Sequence, residues 1–346
     1  MKRQFLKRYM MGFIVAGTLA VLSGCGQEQE TETENPVKTR EEVTYDKESN
    51  SLETWKQELG SEETKTISSA SIRGIETVKD GEAVLAVSYE PRTYKNSYDC
   101  WSLSIPYESW VSVDTEAMYE YFDHVEKLNL EAAEITEEEA GLSDSGTSVF
   151  VAYYSDQDGE NAGQAEPDKG ITYWIGNEAD EDHYYVKTSS GNEIWTADKE
   201  AVDGLLEIEP YNMILKVANV VSIETLSSVD IEIQGKTYTI DLSDQENENY
   251  KLNNKKADKD EVNALYTELM SIFIEEEIKE SNDVQETSSP MMSITFHRNI
   301  EGAPEIVESF YDYDENYASV NINGTEFFLT DKSAVNDLIA SVKEAF

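Results

Sequence analysis

Gly191-Asn-Glu193-Ile-Trp195-Thr-Ala-Asp198-Lys199-Glu-Ala201-Val202-Asp-Gly-Leu205 returns 133 residues later as Gly324-Thr-Glu326-Phe-Phe328-Leu-Thr-Asp331-Lys332-Ser-Ala334-Val335-Asn-Asp-Leu338. Gly, Glu, Asp, Lys, Ala, Val and Leu recur in step, and Tyr184 and Tyr317 keep the same offset. Weaker copies begin at Asp258-Lys259-Asp-Glu261-Val262 and at Asp114-Thr-Glu-Ala117-Met118. A recurrence of this kind marks a duplicated structural unit.

The unit reads as a hairpin followed by a capped helix. Asn323-Gly324 is a two-residue hairpin signal, because both residues tolerate positive φ. Asp80-Gly81 and Gln234-Gly235 are turns of the same kind. An apolar-rich strand then runs to an Asp placed to accept from the free backbone N–H groups of a helix start. Asp258 with Glu261 has the spacing of a capping box. After each Asp the apolar residues fall on one helical face: Met118, Tyr121, Phe122, Val125; Val262, Leu265, Tyr266, Leu269; Val335, Leu338, Ile339, Val342. Such a face is laid on a sheet. The copy after Asp198 is short, limited by Gly204 and Pro210. Four hairpin–helix units therefore group into two tandem halves, 67–215 and 216–346, of an α+β fold with antiparallel sheets and helices on one face.

The beginning of the chain says where that body is sent. Lys2, Arg3, Lys7 and Arg8 precede an apolar stretch ending in Leu22-Ser23-Gly24-Cys25. The stretch is short for a membrane span, which needs ~20 apolar residues. Leu22, Ser23 and Gly24 before Cys25 have the form of a bacterial lipobox. Residues 1–24 are expected to be a removable signal peptide and Cys25 the site of lipid attachment. Several acyl chains at ~0.8 kcal/mol per buried CH₂ hold a protein on a bilayer where one chain would not. Residues 25–66 read as an acidic flexible linker. A free chain of this length spans roughly 35 Å root-mean-square. Within it Leu52, Trp55 and Leu59 have the spacing of a short helix.

The 346 residues carry 71 Asp and Glu against 27 Lys and Arg, a formal charge of -44. That balance argues against a surface for nucleic-acid phosphates or for anionic headgroups. With 39% hydrophobic residues the chain is nonetheless not wholly disordered. Two Cys make neither a disulfide scaffold nor a cysteine-rich metal site. Once Cys25 is lipidated, Cys100 is left as a lone thiol that could be reactive, though a half-buried residue of a strand is the plainer reading.

Phosphate-cradling loops, nucleophile elbows and zinc motifs are missing from the sequence. His124 falls off the apolar face of its helix, His297 ends a strand, and His183, after Asp180-Glu-Asp182, could be a metal ligand or base but reads as a solvated loop residue with acidic neighbours. Asp156-Gln-Asp158-Gly-Glu160 and Asp312-Tyr-Asp314-Glu315 pair carboxylates, yet a chain this acidic places such pairs by chance. The first group also lacks the glycine and terminal Glu of a calcium loop. Tyr153-Tyr154, Tyr173-Trp174 and Tyr184-Tyr185 could line a cleft for sugars or peptides, but aromatics are strand formers and sheet packing accounts for them. No catalytic residue, metal or cofactor is expected.

In this order of elements the body resembles domain-of-unknown-function family 4340 of exported bacterial proteins. The resemblance runs over residues 70–345. It is carried by the hairpin leading to Trp101-Ser-Leu103-Ser-Ile-Pro106 and by Asp114 with its helix. It continues through Gly141-Leu142-Ser-Asp144 and through Tyr173-Trp174-Ile175-Gly176 before Tyr184-Tyr185-Val186. Where the family often has Pro after Gly-Leu, this chain has Ser145-Gly146. The resemblance implies the location and the fold, and companionship with ABC-type transport systems; it implies no activity and no catalytic residues. The functional expectation is a membrane-anchored extracytoplasmic binding or accessory subunit. The alternative is a structural or interaction lipoprotein of the envelope without a small ligand, and a carboxylate-dependent hydrolase ranks last. The oligomeric state stays open.

Overall fold

Asp80-Gly81, Gln234-Gly235 and Asn323-Gly324 all have positive φ at both positions, between 52° and 87°. Hairpins with this turn twist in the same sense as their strands. Around these turns the computed structural model describes residues 51–62, 66–91, 100–108, 110–155, 166–278 and 289–346.

The first half opens with helix α1 (Ser51–Glu58) and continues with strands β1 (Ile72–Lys79), β2 (Glu82–Tyr89) and β3 (Trp101–Ile105). Helix α2 (Thr115–Glu126), β4 (Glu131–Ala133), β5 (Ser148–Tyr153) and β6 (Lys169–Glu178) follow. It closes with β7 (His183–Thr188), β8 (Ile194–Asp198) and helix α3 (Lys199–Leu206). The second half contains β9 (Leu226–Ile233), β10 (Lys236–Asp241), β11 (Tyr250–Leu252), β12 (Lys255–Ala257) and helix α4 (Lys259–Leu269). It ends with β13 (Glu276–Glu277), β14 (Met292–Arg298), β15 (Ile306–Asp312), β16 (Tyr317–Ile322), β17 (Thr325–Asp331) and helix α5 (Lys332–Ala345).

The strands form two antiparallel sheets, one per half, with the same topology. The first runs β3-β2-β1-β5-β6-β7-β8-β4 and the second β12-β11-β10-β9-β14-β15-β16-β17-β13. Strand for strand these orders correspond, the second sheet adding only β12. The fold is thus α+β, as expected.

Each helix presents the face its sequence predicts. Met118, Tyr121, Phe122 and Val125 of α2 are buried, as are Val262, Leu265, Tyr266 and Leu269 of α4 and Val335, Leu338 and Val342 of α5. Burying one such side chain contributes ~1.5–3 kcal/mol. Caps differ from one helix to the next. Asp114 accepts from the N–H groups of Glu116 and Ala117, and Asp331 from that of Ser333. Asp198 and Asp258 make no such bond. The capping box expected at Asp258 is therefore not formed; both Asp258 and Glu261 are exposed, where water competes for their carboxylates.

The end of the expected linker belongs to the body. α1 lies on the face of the first sheet opposite α2, with Leu52 fully buried and Trp55 and Leu59 packed on Ala86, Phe150 and Ala152. Gly74 makes this seat possible: a Cβ there would stand 2.6 Å from Leu52 Cδ2 and 2.7 Å from Trp55 Cζ3. Lys56 Nζ meets Glu76 Oε2 at 2.7 Å. The chain then crosses the sheet, Gly60 O accepting from Gly170 N at 3.3 Å and Ser61 Oγ donating to Ser189 O at 2.9 Å. Packing of Leu52 and Trp55 holds these residues in place, which the acidic composition of 25–66 did not reveal. The signal at 1–24, the lipobox Leu22-Ser23-Gly24, Cys25 and the linker up to residue 50 lie outside the described residues. Among the described residues, no helix is long and apolar enough to cross a membrane.

Candidate functional site: the junction between the halves

The residues that join the halves come from the loop after β3, the segment after α3, and β17. The loop carries Tyr107 and Trp110; the segment carries Tyr211 and Lys216; β17 carries Phe327 and Phe328. A β-bulge presents the last pair. Val320 opposes Phe328 whereas Asn321 opposes Glu326, so Phe327 is the extra residue. β7 and β8, the matching pair in the first half, keep an unbroken register. The bulge buries both Phe327 and Phe328 completely.

These rings fill the junction. Trp110 stacks on Phe327 with centroids 5.6 Å apart at 17°, and Tyr107 lies 5.1 Å from Phe328 and 5.5 Å from Phe327. Tyr211 reaches Phe328 at 6.2 Å. Pairs of this geometry add ~0.5–1.5 kcal/mol each beyond area burial. Both polar handles are satisfied across the junction: Trp110 Nε1 donates to Thr325 Oγ1 at 2.9 Å, and the Tyr107 hydroxyl donates to Glu277.

The connector 214–222 ties the same region by its backbone. Ile214 bridges Val113, and Leu215 N donates to Ser112 O at 2.8 Å on the first-half side. Val217 bridges Phe273, and Ala218 N donates to Ile272 O at 2.9 Å on the second-half side. Lys216 donates to Tyr211 O and lies over the Tyr211 ring. Burial pulls its ammonium down to about 8, against the pull of Glu277 and Asp114. Burial, and then Glu275, Glu277 and Glu276, push the Tyr211 hydroxyl up. Further along the connector Asn219 donates to the buried carboxyl of Glu308. Of these bonds, that of Tyr107 to Glu277 runs from the first half to the second, and that of Asn219 to Glu308 ties the connector to the second sheet.

The histidines and paired carboxylates singled out by sequence lie elsewhere. His183 opens β7 rather than lying in a loop, and its Nδ1 meets Asp180 Oδ1 at 2.8 Å on the surface, a contact that raises its pKa. His297 sits between Glu305, at 2.7 Å, and Asp230, at 3.1 Å. His124 is half-buried over Gly204 of α3, and burial holds its pKa low. Asp312 pairs with Lys332 at 2.7 Å, while Asp314 accepts from the N–H groups of Asn316 and Tyr317. Asp314 therefore shapes a turn, and Asp312 ties the end of β15 to α5. Asp156, Asp158 and Glu160 lie outside the described residues.

Tyr153 and Tyr173 belong to the first core, whereas Trp174 and Tyr185 pack with Ala140, Leu142 and Ile194 on the other face. Alternating strand residues thus feed two packed faces. Cys100 is half-buried just before β3, against the first core. Among the described residues no group of three or more His, Cys, Asp or Glu is arranged to hold a metal ion. A shallow depression of about 220 Å³ lies on the second half, lined by Leu226, Leu242, Ser243, Asp244 and Asn299 among others.

Tyr107, Trp110, Lys216, Asn219, Glu277 and Glu308 were missed in the sequence. Glu308 alone had a readable signal: it falls in phase with Ile306 and Phe310, a carboxyl at a core position of an alternating strand. No protein-family model, curated protein or solved structure matches the chain.

Proposed function

We propose that the chain is a lipid-anchored extracytoplasmic lipoprotein of the envelope that works by contact with other proteins. The observation that carries this reading is the filling of the junction by Tyr107, Trp110, Phe327 and Phe328. Two similar halves that close on a small molecule need a solvent-filled cleft between them, and here rings occupy that space. Recognition then falls to outer surfaces: the polar face of the second sheet, with Asp230, Thr239 and His297, and the short charged edge strands β4, β12 and β13. Short, charged edges also keep a sheet from pairing with further copies. The resemblance to domain-of-unknown-function family 4340 makes an ABC-type transport system the first partner class to test. A Glu308 carboxyl facing an amide rather than a second carboxylate gives the hydrolase reading no support.

Two measurements test the proposal. Cys25→Ala should move the protein from the membrane to the soluble fraction; unchanged membrane retention removes the anchor. Cross-linked capture of the full-length anchored protein should recover integral transporter subunits. Their absence from a capture that retains the bait argues against the accessory role.

A further inference from the structure

Glu308 lies in the middle of β15, with its side chain turned the same way as Ile306 and Phe310, into the second core. It is 0% exposed. In register beside it stand Ile294 of β14 and Ile322 of β16, both also fully buried. Asn219 of the connector, 7% exposed, donates Nδ2 to Glu308 Oε2. Among the described residues, nothing hydrogen-bonds the other two oxygens of the pair, Glu308 Oε1 and Asn219 Oδ1, and both are buried.

Two orphaned acceptors on two side chains already in contact have a simple chemical remedy. A proton on Oε1 turns that oxygen into a donor, and Asn219 Oδ1 is the unpartnered acceptor of the side chain already bonded to Glu308. The carboxylic acid and the amide then satisfy each other at both ends. An ionised carboxylate can only accept, and leaves both oxygens buried and unmatched.

We propose that Glu308 and Asn219 form a proton-dependent latch that fastens the connector between the halves to the second sheet, closed while Glu308 carries its proton. The proposal concerns the connector itself and holds whether or not the body meets a transporter.

Among the described residues, no charge is placed to compensate an ionised Glu308. The charged residues of α4 (Lys259, Asp260, Glu261, Glu268) and Asp337, Lys343 and Glu344 of α5 occupy exposed positions. Lys332 is engaged with Asp312, and Lys216 of the connector faces Tyr211, Glu277 and Asp114. Tyr266 of α4 spends its hydroxyl on Val221 O at 2.7 Å. Burial accordingly pushes Glu308 up to about 8 from an ordinary 4.5. Between these two values the closed form holds a proton that the open form has lost. Opening is therefore favoured about tenfold more for each pH unit in that window, and levels off above it.

The test compares the full-length protein with Glu308→Gln, which keeps shape and loses the titration. Hydrogen exchange of the connector amide of Ala218, bonded to Ile272 O, is followed from about pH 5 to about pH 9. Relative to the variant, opening in the wild type should rise about tenfold per pH unit and flatten above about pH 8. Parallel profiles for the two proteins overturn the latch. Should Glu308→Gln fail to fold, the carboxyl of Glu308 is titrated directly in the wild type by carbon-13 NMR. A carboxyl still protonated at about pH 6.5 supports the proposal, and one ionised there overturns it.

Discussion

Trp110 of the first half stacks on Phe327 of the second and donates its indole N–H to Thr325, two residues before it. One side chain thus contributes apolar area and a hydrogen bond to the same junction, and it packs against both cores. Trp110→Ala is expected to lower stability by about 2–4 kcal/mol. More tellingly, it should split a single denaturant transition into two, one per half. A variant that still unfolds in one transition, as stably as the wild type, would show the junction to be energetically idle.

Gly74 sets the docking of α1. Adding a methyl group at 2.6 Å from Leu52 forces a packed helix off its seat rather than moving a loose side-chain tip, because Leu52 is fully buried. Gly74→Ala should cost about 1–3 kcal/mol and expose residues 51–62 to protease while the rest of the first half stays resistant. Unaltered cleavage of 51–62 would mean that α1 tolerates the methyl group by a small shift.

The duplication could be read because it was written in local rules. A turn dipeptide with positive φ, an alternating strand, a capping Asp and an apolar helical face each depend on residues close in the chain. All three Xaa-Gly hairpin turns that these rules predict are present. The junction could not be read that way. Trp110 and Thr325 are 215 residues apart, and nothing near Trp110 announces that a bulge at Phe327 will meet it. The bulge itself hides inside a repeat whose spacing is otherwise constant. The docking of α1 was hidden for a related reason: the helical spacing of Leu52, Trp55 and Leu59 is legible, but its seat is a glycine in another strand and the composition around it is that of a solvated spacer. Glu308 is the intermediate case, with a phase visible in β15 and a partner, Asn219, that only the fold supplies.

The capping aspartates separate by geometry rather than by sequence. Asp114→Ala and Asp331→Ala each remove a side-chain acceptor from a helix start, and should each cost about 1 kcal/mol. Asp258→Ala removes no such bond, and should stay within about 0.5 kcal/mol of the wild type. Chemical denaturation of the three variants checks the ranking; an equal cost at all three positions would show that helix-dipole charge, not the cap bond, sets it.

Acid should expose one further contact. Lys251 Nζ lies 2.8 Å from Asp241 Oδ2, and that bond, then the one from Ser243, draws Asp241 down to about 2 from an ordinary 3.8. A carboxyl depressed in the folded state contributes stability above its unfolded value. The contribution fades as pH falls from about 3.8 towards about 2, and is absent below. With both side chains roughly a third exposed, screening keeps it to no more than about 1 kcal/mol. Lys251→Met should therefore be less stable than the wild type by several tenths of a kcal/mol at about pH 6, and equal to it by about pH 2. Glu308 does not confuse the comparison, since its window runs upward from 4.5 and it is protonated in both states under acid. A stability gap that persists unchanged at about pH 2 would assign the loss to packing of the Lys251 stem instead of its charge.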